Sequence, residues 1–531
     1  MKKAIFILSA GLAMMAQAQS WLDYDQALSR WTWLRTLNAA ALTTYVPVDS
    51  SQHLLADAQL TMATERGHLA QPGASSGIWQ ASAAVRSIYR VGHRVVLRGG
   101  MNYRNRWGDD TGGSVWLNPD AMPFDITEYT DSTRGKMRVE QYGLNGEVGV
   151  TIVPGLDLGA RFAYIAANST KQKDPRHTNS VMQLEASAGA AWRWRGATLG
   201  ANYLLRRNTE AVQLRTYGRT DRVYHYLVNY GAFYGRDEQT DGKGYVSADS
   251  EHPLLDMCHG LALQGGYEHR SWSAVAQWSW THRHGHYGLE SPSMVDFNRH
   301  QGDRWEATLW LQHAQPQAIY RLEIAWNHEN LRDYERTYRT ITQGGVTDVI
   351  YYDNRLMGRR QAIDYRITAT AQWNIHRHLA AWQIEAGVRH HRGEVTAIVY
   401  PYFRIQDTRL TTVEASMRRN WLCTRDHTWT LMAGLRWAGG GGNPKSDSTY
   451  GTPSEGSQAP VEHDEYLMQQ YEWLTAGRIT ASAGVRWSMP LAAGRCRLYA
   501  EARGLLCWGH DIHHLADAHR HEASVSLGCL F

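Results

Sequence analysis

Stretches of about ten or more residues in which apolar and polar side chains alternate recur along this chain, joined by links that are short and long in turn. The stretch "IWQASAAVRSIYRVGHRVVLRGGMNYRNRW" shows the unit. Trp79, Ala81, Ala83, Val85, Tyr89 and Val91 fall on one face and Gln80, Ser82, Arg86 and Arg90 on the other. After a tight turn at Gly92-His93, Val95, Leu97, Met101 and Tyr103 resume the apolar face, while Arg98, Asn102, Arg104 and Arg106 hold the polar one. A period of two is the signature of a strand with two unlike faces, so the unit is a hairpin that is greasy on one side and basic on the other.

The unit repeats. "YGLNGEVGVTIVPGLDLGARFAYIA" turns at Pro154-Gly155 and "MQLEASAGAAWRWRGATLGANYLL" at Arg195-Gly196. Further short turns are expected at His269 to Ser271, Gln315 to Gln317, His376 to His378, Cys423 to Asp426 and Pro490 to Gly494. Between hairpins run polar links at about 108–138, 209–255, 284–301, 331–359, 393–407 and 439–474, with two shorter ones at about 169–179 and 509–519. Eight hairpins, one strand at about 56–66 before them and a final strand give about 18 strands, within a range of 16–20. The predicted fold is therefore all-β: a single antiparallel transmembrane β-barrel with short periplasmic turns and long extracellular loops. A large soluble β-sandwich or solenoid is the alternative, but it leaves the asymmetry between turns and loops unexplained.

Both ends of the chain fit that reading. "HEASVSLGCLF" places Ala523, Val525, Leu527, Cys529 and Phe531 on one face. A last strand that closes a barrel against the first can stop where the membrane stops, because closure leaves no free edge. A terminal Phe531 after alternating apolar residues also resembles the assembly signal of outer-membrane barrels. At the other end, Lys2 and Lys3, the apolar run Ala4 to Met15 and Ala16-Gln17-Ala18 read as a secretory signal peptide over 1–18. Residues 19–52 are expected to form a periplasmic or plug segment with a short helix at about Tyr24 to Leu37, and 53–531 the barrel. With 22 Trp and 28 Tyr against 7 Phe, the chain favours rings that suit a membrane-water interface. Mean hydropathy of -0.49 argues against transmembrane helices, and a net charge of +4 is too mild to imply nucleic acid.

Two stretches, "GSVWLNPDAMPFDI" (Gly113 to Ile126) and "AANSTKQKDPRHTNSVMQLEASAG" (Ala166 to Gly189), resemble a Bacteroidota-type outer-membrane β-barrel family of unknown function. Asp174, Pro175, Arg176 and His177 form the recognisable loop signature. The resemblance implies a barrel over nearly the whole mature chain. It also implies genes often placed near TonB-dependent receptors, hence a part in nutrient or metal acquisition, and it supplies no catalytic residues.

Three features could carry chemistry. "HDIHHLADAHRH" crowds His510, His513, His514, His519 and His521 into the last outer loop, and neutral imidazoles at such spacing can assemble round a surface-bound transition metal. The bland reading is a chain that uses His freely, 25 times in all. Second, Arg98, Arg104, Arg161, Arg193, Arg478, Arg486, Glu147 and Glu414 fall on the polar face and are expected to line the lumen. They would either select solutes or pair across a filled wall. Third, "GASSG" matches G-x-S-x-G at Ser75, but it leads into a strand where a nucleophile elbow needs strand, turn and helix.

The expectation is thus a non-enzymatic barrel of the Gram-negative outer membrane that acts as a channel or as an accessory of nutrient or metal uptake. A plugged barrel whose His-rich loops bind a metal complex or partner is the alternative, and a hydrolase at the rim is a distant third. No cofactor is expected beyond that surface metal. The expected partners are outer-membrane lipid, the barrel assembly machinery and a TonB-dependent receptor.

Overall fold

A computed structural model describes residues 24–47 and 53–531, apart from 129–130, 216–222, 243, 248–250, 292–293, 377–378, 424–425 and 492–495. The expected signal peptide at 1–18 lies outside the described residues, as do parts of the turns expected near 377, 424 and 493. Eighteen antiparallel strands form one closed sheet. The first, Leu54–Gly67, pairs with the second, Gly77–Val91, and also with the last, His519–Leu530, from Asp57↔Leu530 to Gly67↔Arg520. Backbone hydrogen bonds between Phe531 and Ala56 in both directions finish the seam. Closure leaves no strand edge unpaired, which is what a hydrocarbon environment demands of a sheet.

The burial pattern is inverted relative to a water-soluble domain. Leu60, Met62 and Leu527 are each at least 60% exposed, whereas Asp57, Asp157 and Asp256 are at most 3% exposed. In water that arrangement would forfeit both the hydrophobic gain and the hydration of the charges. In a bilayer it is the stable one, and it removes the soluble sandwich. The outward tryptophans fall in two tiers: Trp272 and Trp280 on one strand, Trp429 and Trp437 on another. Eight residues are roughly 26 Å along a strand, or roughly 20 Å along the axis of a barrel tilted by about 40°, close to the spacing of two interfacial girdles. This is an outer-membrane β-barrel.

The expected hairpin turns lie where the alternation breaks, as at Gly92, Gly155 and Gly196, all at positive φ. Three of the long links differ. Residues 284–301, 331–359 and 393–407 largely continue as strand. Ala318–Gln343 and Val346–His376 stay paired out to Gln343↔Val346, around Gly344 and Gly345 at φ 60° and 81°. Above the bilayer both faces of such a hairpin meet water, so backbone pairing persists while the apolar alternation that signals it is lost.

Two structures fill the barrel. The first is the N-terminal segment, seen as a helix Tyr24–Ser29 followed by 3-10 turns Thr32–Arg35 and Ala39–Thr44, not the single helix expected to Leu37. The reason is local: wall side chains take up its backbone groups. Gln312 donates to the Arg30 carbonyl (3.0 Å), and the Leu37 N–H donates to Gln277 (2.8 Å). The second is a four-stranded sheet of Asp125–Glu128, His225–Asn229, Tyr234–Gln239 and Val461–Glu462, contributed by three outer links. Trp116, Phe124, Tyr245 and Tyr287 pack edge to face around it at 5.4–6.1 Å, a hydrophobic core inside the barrel's outer end.

Candidate functional site

The floor of the lumen is built by glycine. Inward-facing Gly149, Gly159, Gly189, Gly200 and Gly266 stand where any Cβ would strike Leu42, Ala40, Asn38 or Trp33 of the N-terminal segment. At Gly159 the added atom would lie 2.0 Å from the Ala40 nitrogen. The wall strands can therefore hold the segment's backbone against their own. Asn38 caps the second 3-10 turn by accepting from the Ala40 N–H, and its amide donates to the Ala190 carbonyl (2.9 Å) and to Gln264 (3.1 Å). Arg90 donates to the Thr43 and Tyr45 carbonyls, and Arg35 pairs with Glu323 at 3.2 Å.

The roof is the turn Pro119–Ala121 with its neighbours Leu117 and Met122. Arg283 donates to the Ala121 carbonyl (2.7 Å) and Arg360 to those of Asp120 (3.0 Å) and Met122 (3.3 Å). Glu210 accepts from the Leu117 N–H (2.8 Å). Three different strands thus grip one loop by its main chain. Above it, burial pushes the Asp125 carboxyl up to about 7, against hydrogen bonds from Ser114, Thr127 and the Ile126 N–H that favour its ionised form. A carboxyl raised on folding contributes stability that is complete below the ordinary carboxylate range and is lost as the pH rises through about 7.

Between floor and roof lies a chamber of about 850 Å³, lined from below by Leu37, from above by Leu117 to Met122, and at the sides by a wall that carries both arginines and carboxylates. Across the barrel the lumen face is different. Arg436, Glu414 and Arg503 are 56%, 43% and 53% exposed at their side chains, and Ser416 and Ser482 border a second space of about 410 Å³. This sector is wet. At its outer end the helix Asp464–Thr475 packs its Tyr466 and Leu467 on Leu227 and Phe233 of the inner sheet. Glu472 on that helix accepts from the backbone N–H groups of His513, His514 and Leu515 at 2.5–2.8 Å. Burial pushes the Asp464 carboxyl up, but the Lys445 hydrogen bond and Arg404 outweigh it and hold the group below the usual carboxylate range.

The expected lumen residues divide between these regions. Arg98 and Arg161 flank Glu147 beside the floor (closest approaches 2.5 and 3.6 Å), and Arg193 pairs with Asp157 at 2.5 Å. Arg104 and Arg161 line the chamber. Arg486 lies over the Tyr499 ring, Arg478 over that of Trp473, and Glu414 pairs with Arg436. In the last outer loop His510 meets Asp511 at 3.2 Å and His519 meets Asp517 at 2.8 Å, while His513 and His514 are held by their backbone. His521 lies on the last strand, paired in register with Arg66 and Leu506. Among the described residues no three His, Cys, Asp or Glu side chains are gathered to hold one metal ion. Ser75 is buried, with its hydroxyl 2.5 Å from that of Thr111. The glycine row and the inward-folding roof were absent from the sequence reading; the row was visible as small residues recurring on the polar face.

The sequence model of a family of unknown function, DUF6850, matches residues 40–531. The chain belongs to that family. The match takes in the second 3-10 turn from Ala40 on, every barrel strand and all three links that build the inner sheet. No curated protein matches the sequence. Solved structures with similarity include the ferric preacinetobactin receptor BauA of Acinetobacter baumannii, at 8% identity and a TM-score of 0.39, over 90% of this chain and 80% of that one. The ferric-catecholate import receptor Fiu of E. coli K12 gives 7% and 0.39 over 89% and 81%. The outer-membrane transporter YddB of Escherichia coli gives 6% and 0.38 over 90% and 80%. Such values are too low to carry cargo, partner or mechanism from those proteins to this chain.

Proposed function

We propose that the protein is a channel or an accessory component of solute uptake across the outer membrane, passing material along the wet sector while the N-terminal segment and the inner sheet block the rest of the lumen. The observation that carries this reading is the hydrated charge of Glu414, Arg436 and Arg503 on inward faces. A barrel that served only as a rigid anchor would have no reason to keep those charges in water, and a filled wall would cover them. A contribution to nutrient or metal uptake beside a TonB-dependent receptor is the physiological setting this reading favours.

The inner sheet supports a second reading. Three links separated widely in sequence build a cored platform at the outer mouth, which suits the capture of a partner or a metal complex without transport. Swelling of proteoliposomes in small sugars and organic acids separates the two. Uptake expects swelling that depends on solute size. Impermeable vesicles around a correctly folded barrel would leave the platform as the function.

A further inference from the structure

The chamber between floor and roof has donors to spare on one side only. Seven carboxylates line it, each already facing a donor: Glu210 accepts from the Leu117 N–H and from Asn179, Asp256 accepts from Arg283 (2.6 Å) and faces His300 (3.1 Å), Asp303 faces Trp280 and His282, Glu306 accepts from Arg304, Glu185 from Gln183 and Asp120 from Gln71, and Glu329 lies 3.8 Å from Arg360. Arg283 and Arg360 are in turn engaged with roof carbonyls. By contrast, among the described residues neither the Arg104 nor the Arg106 guanidinium has a hydrogen bond or ion pair, and Arg161 has only the long 3.6 Å approach to Glu147. All three line the chamber. Arg104 and Arg106 are two apart on one strand, so their stems rise from the same face roughly 7 Å apart. Each presents a planar fork of donors suited to carboxylate or phosphate oxygens.

We propose that this chamber binds an organic anion carrying two or more carboxylate or phosphate groups, held by Arg104 and Arg106, with Arg161 lying further down the wall beside the floor. The volume of about 850 Å³ lies within the range of pockets that enclose a small organic molecule. The forks of Arg104 and Arg106 give orientation. The site deepens the uptake reading and rests on it for its physiological sense, although its geometry is independent of whether solute passes through.

Overnight equilibrium dialysis of the refolded mature protein against radiolabelled citrate tests this, with pyrophosphate and glucose as competitors and low salt as the starting condition. Saturable citrate binding is expected, displaced by pyrophosphate but not by glucose and weakened by added salt. The relative strength of the two anions distinguishes a carboxylate from a phosphate ligand. Arg104→Gln combined with Arg106→Gln should weaken binding at least about tenfold, a loss within the worth of two charge-assisted hydrogen bonds. The double Lys variant should fall between, since it keeps charge but loses the fork. Neither guanidinium supports a protein partner, so both variants should keep heat-modifiable migration, and Arg436→Gln in the wet sector should bind as the parent does. No saturable anion binding by a folded barrel, or binding unmoved by the double Gln variant, would overturn the inference. A barrel that swells vesicles yet binds no anion removes this site alone; one that binds citrate in impermeable vesicles keeps the site and removes the uptake reading.

Discussion

Glu147 and Glu414 occupy equivalent places in the strand pattern, inward-facing carboxylates in the middle of a barrel strand, yet they live in different media. Glu147 is 5% exposed at its side chain, between Arg98 and Arg161 and beside the N-terminal segment, while Glu414 is 43% exposed and pairs with Arg436. The alternation of the strand puts a charge inside the barrel; what stands next to it inside decides whether that charge is structural or meets water. The buried set must be paired, since a lone buried carboxylate costs several kcal/mol. The exposed set can remain loosely held and is worth little to stability.

The contrast can be broken most forcefully by removing the floor. Deleting residues 24–47 should raise single-channel conductance severalfold, because the filled half of the lumen then hydrates; unchanged steps would mean that the segment does not limit flow. A gentler version is Gly159→Val. Its side chain would meet the backbone at Ala39 and Ala40, and overpacking of that kind costs on the order of 1–3 kcal/mol. Faster amide exchange over 38–45, with the barrel strands unchanged, is the expected readout.

At the opposite end, Glu472→Ala deletes the acceptor for three backbone donors and should loosen residues 510–518 and the helix by about 1–2 kcal/mol. Limited proteolysis in the last outer loop would report it, and the floor should not respond. The smallest effect belongs to Arg436→Gln. Stability should stay within about 0.5 kcal/mol, while the anion-to-cation permeability ratio falls; a loss of folding instead would mean that the wet sector is wall and not passage.

Much of the architecture was legible because lipid imposes a local rule. Strand by strand, residues such as Leu97, Met101 and Leu144 had to face hydrocarbon, and every short turn interrupts that rhythm where the chain reverses. The rule lapses above the membrane, which is why 331–359 read as a loop although it is a continuous hairpin. It lapses inside as well. The inner sheet joins Val228 to Ile126 and Gly235 to Val461, pairings between short segments about 100 and 226 residues apart, and no periodicity in four or five residues announces such a partner. The split of the lumen residues into paired and hydrated sets depends on the same non-local packing. Only the inward glycines carried a trace of it.

The most direct test is thiol accessibility in a background stripped of the five native cysteines. Single cysteines at Ser416 and Ser482 on the wet side, and at Thr198 and Ser279 on the filled side, would be exposed to a charged, water-soluble maleimide in intact proteoliposomes. Rapid labelling at Ser416→Cys and Ser482→Cys with protection at Thr198→Cys and Ser279→Cys is what the divided lumen predicts. Equal labelling at all four positions, or protection at all four, would contradict it.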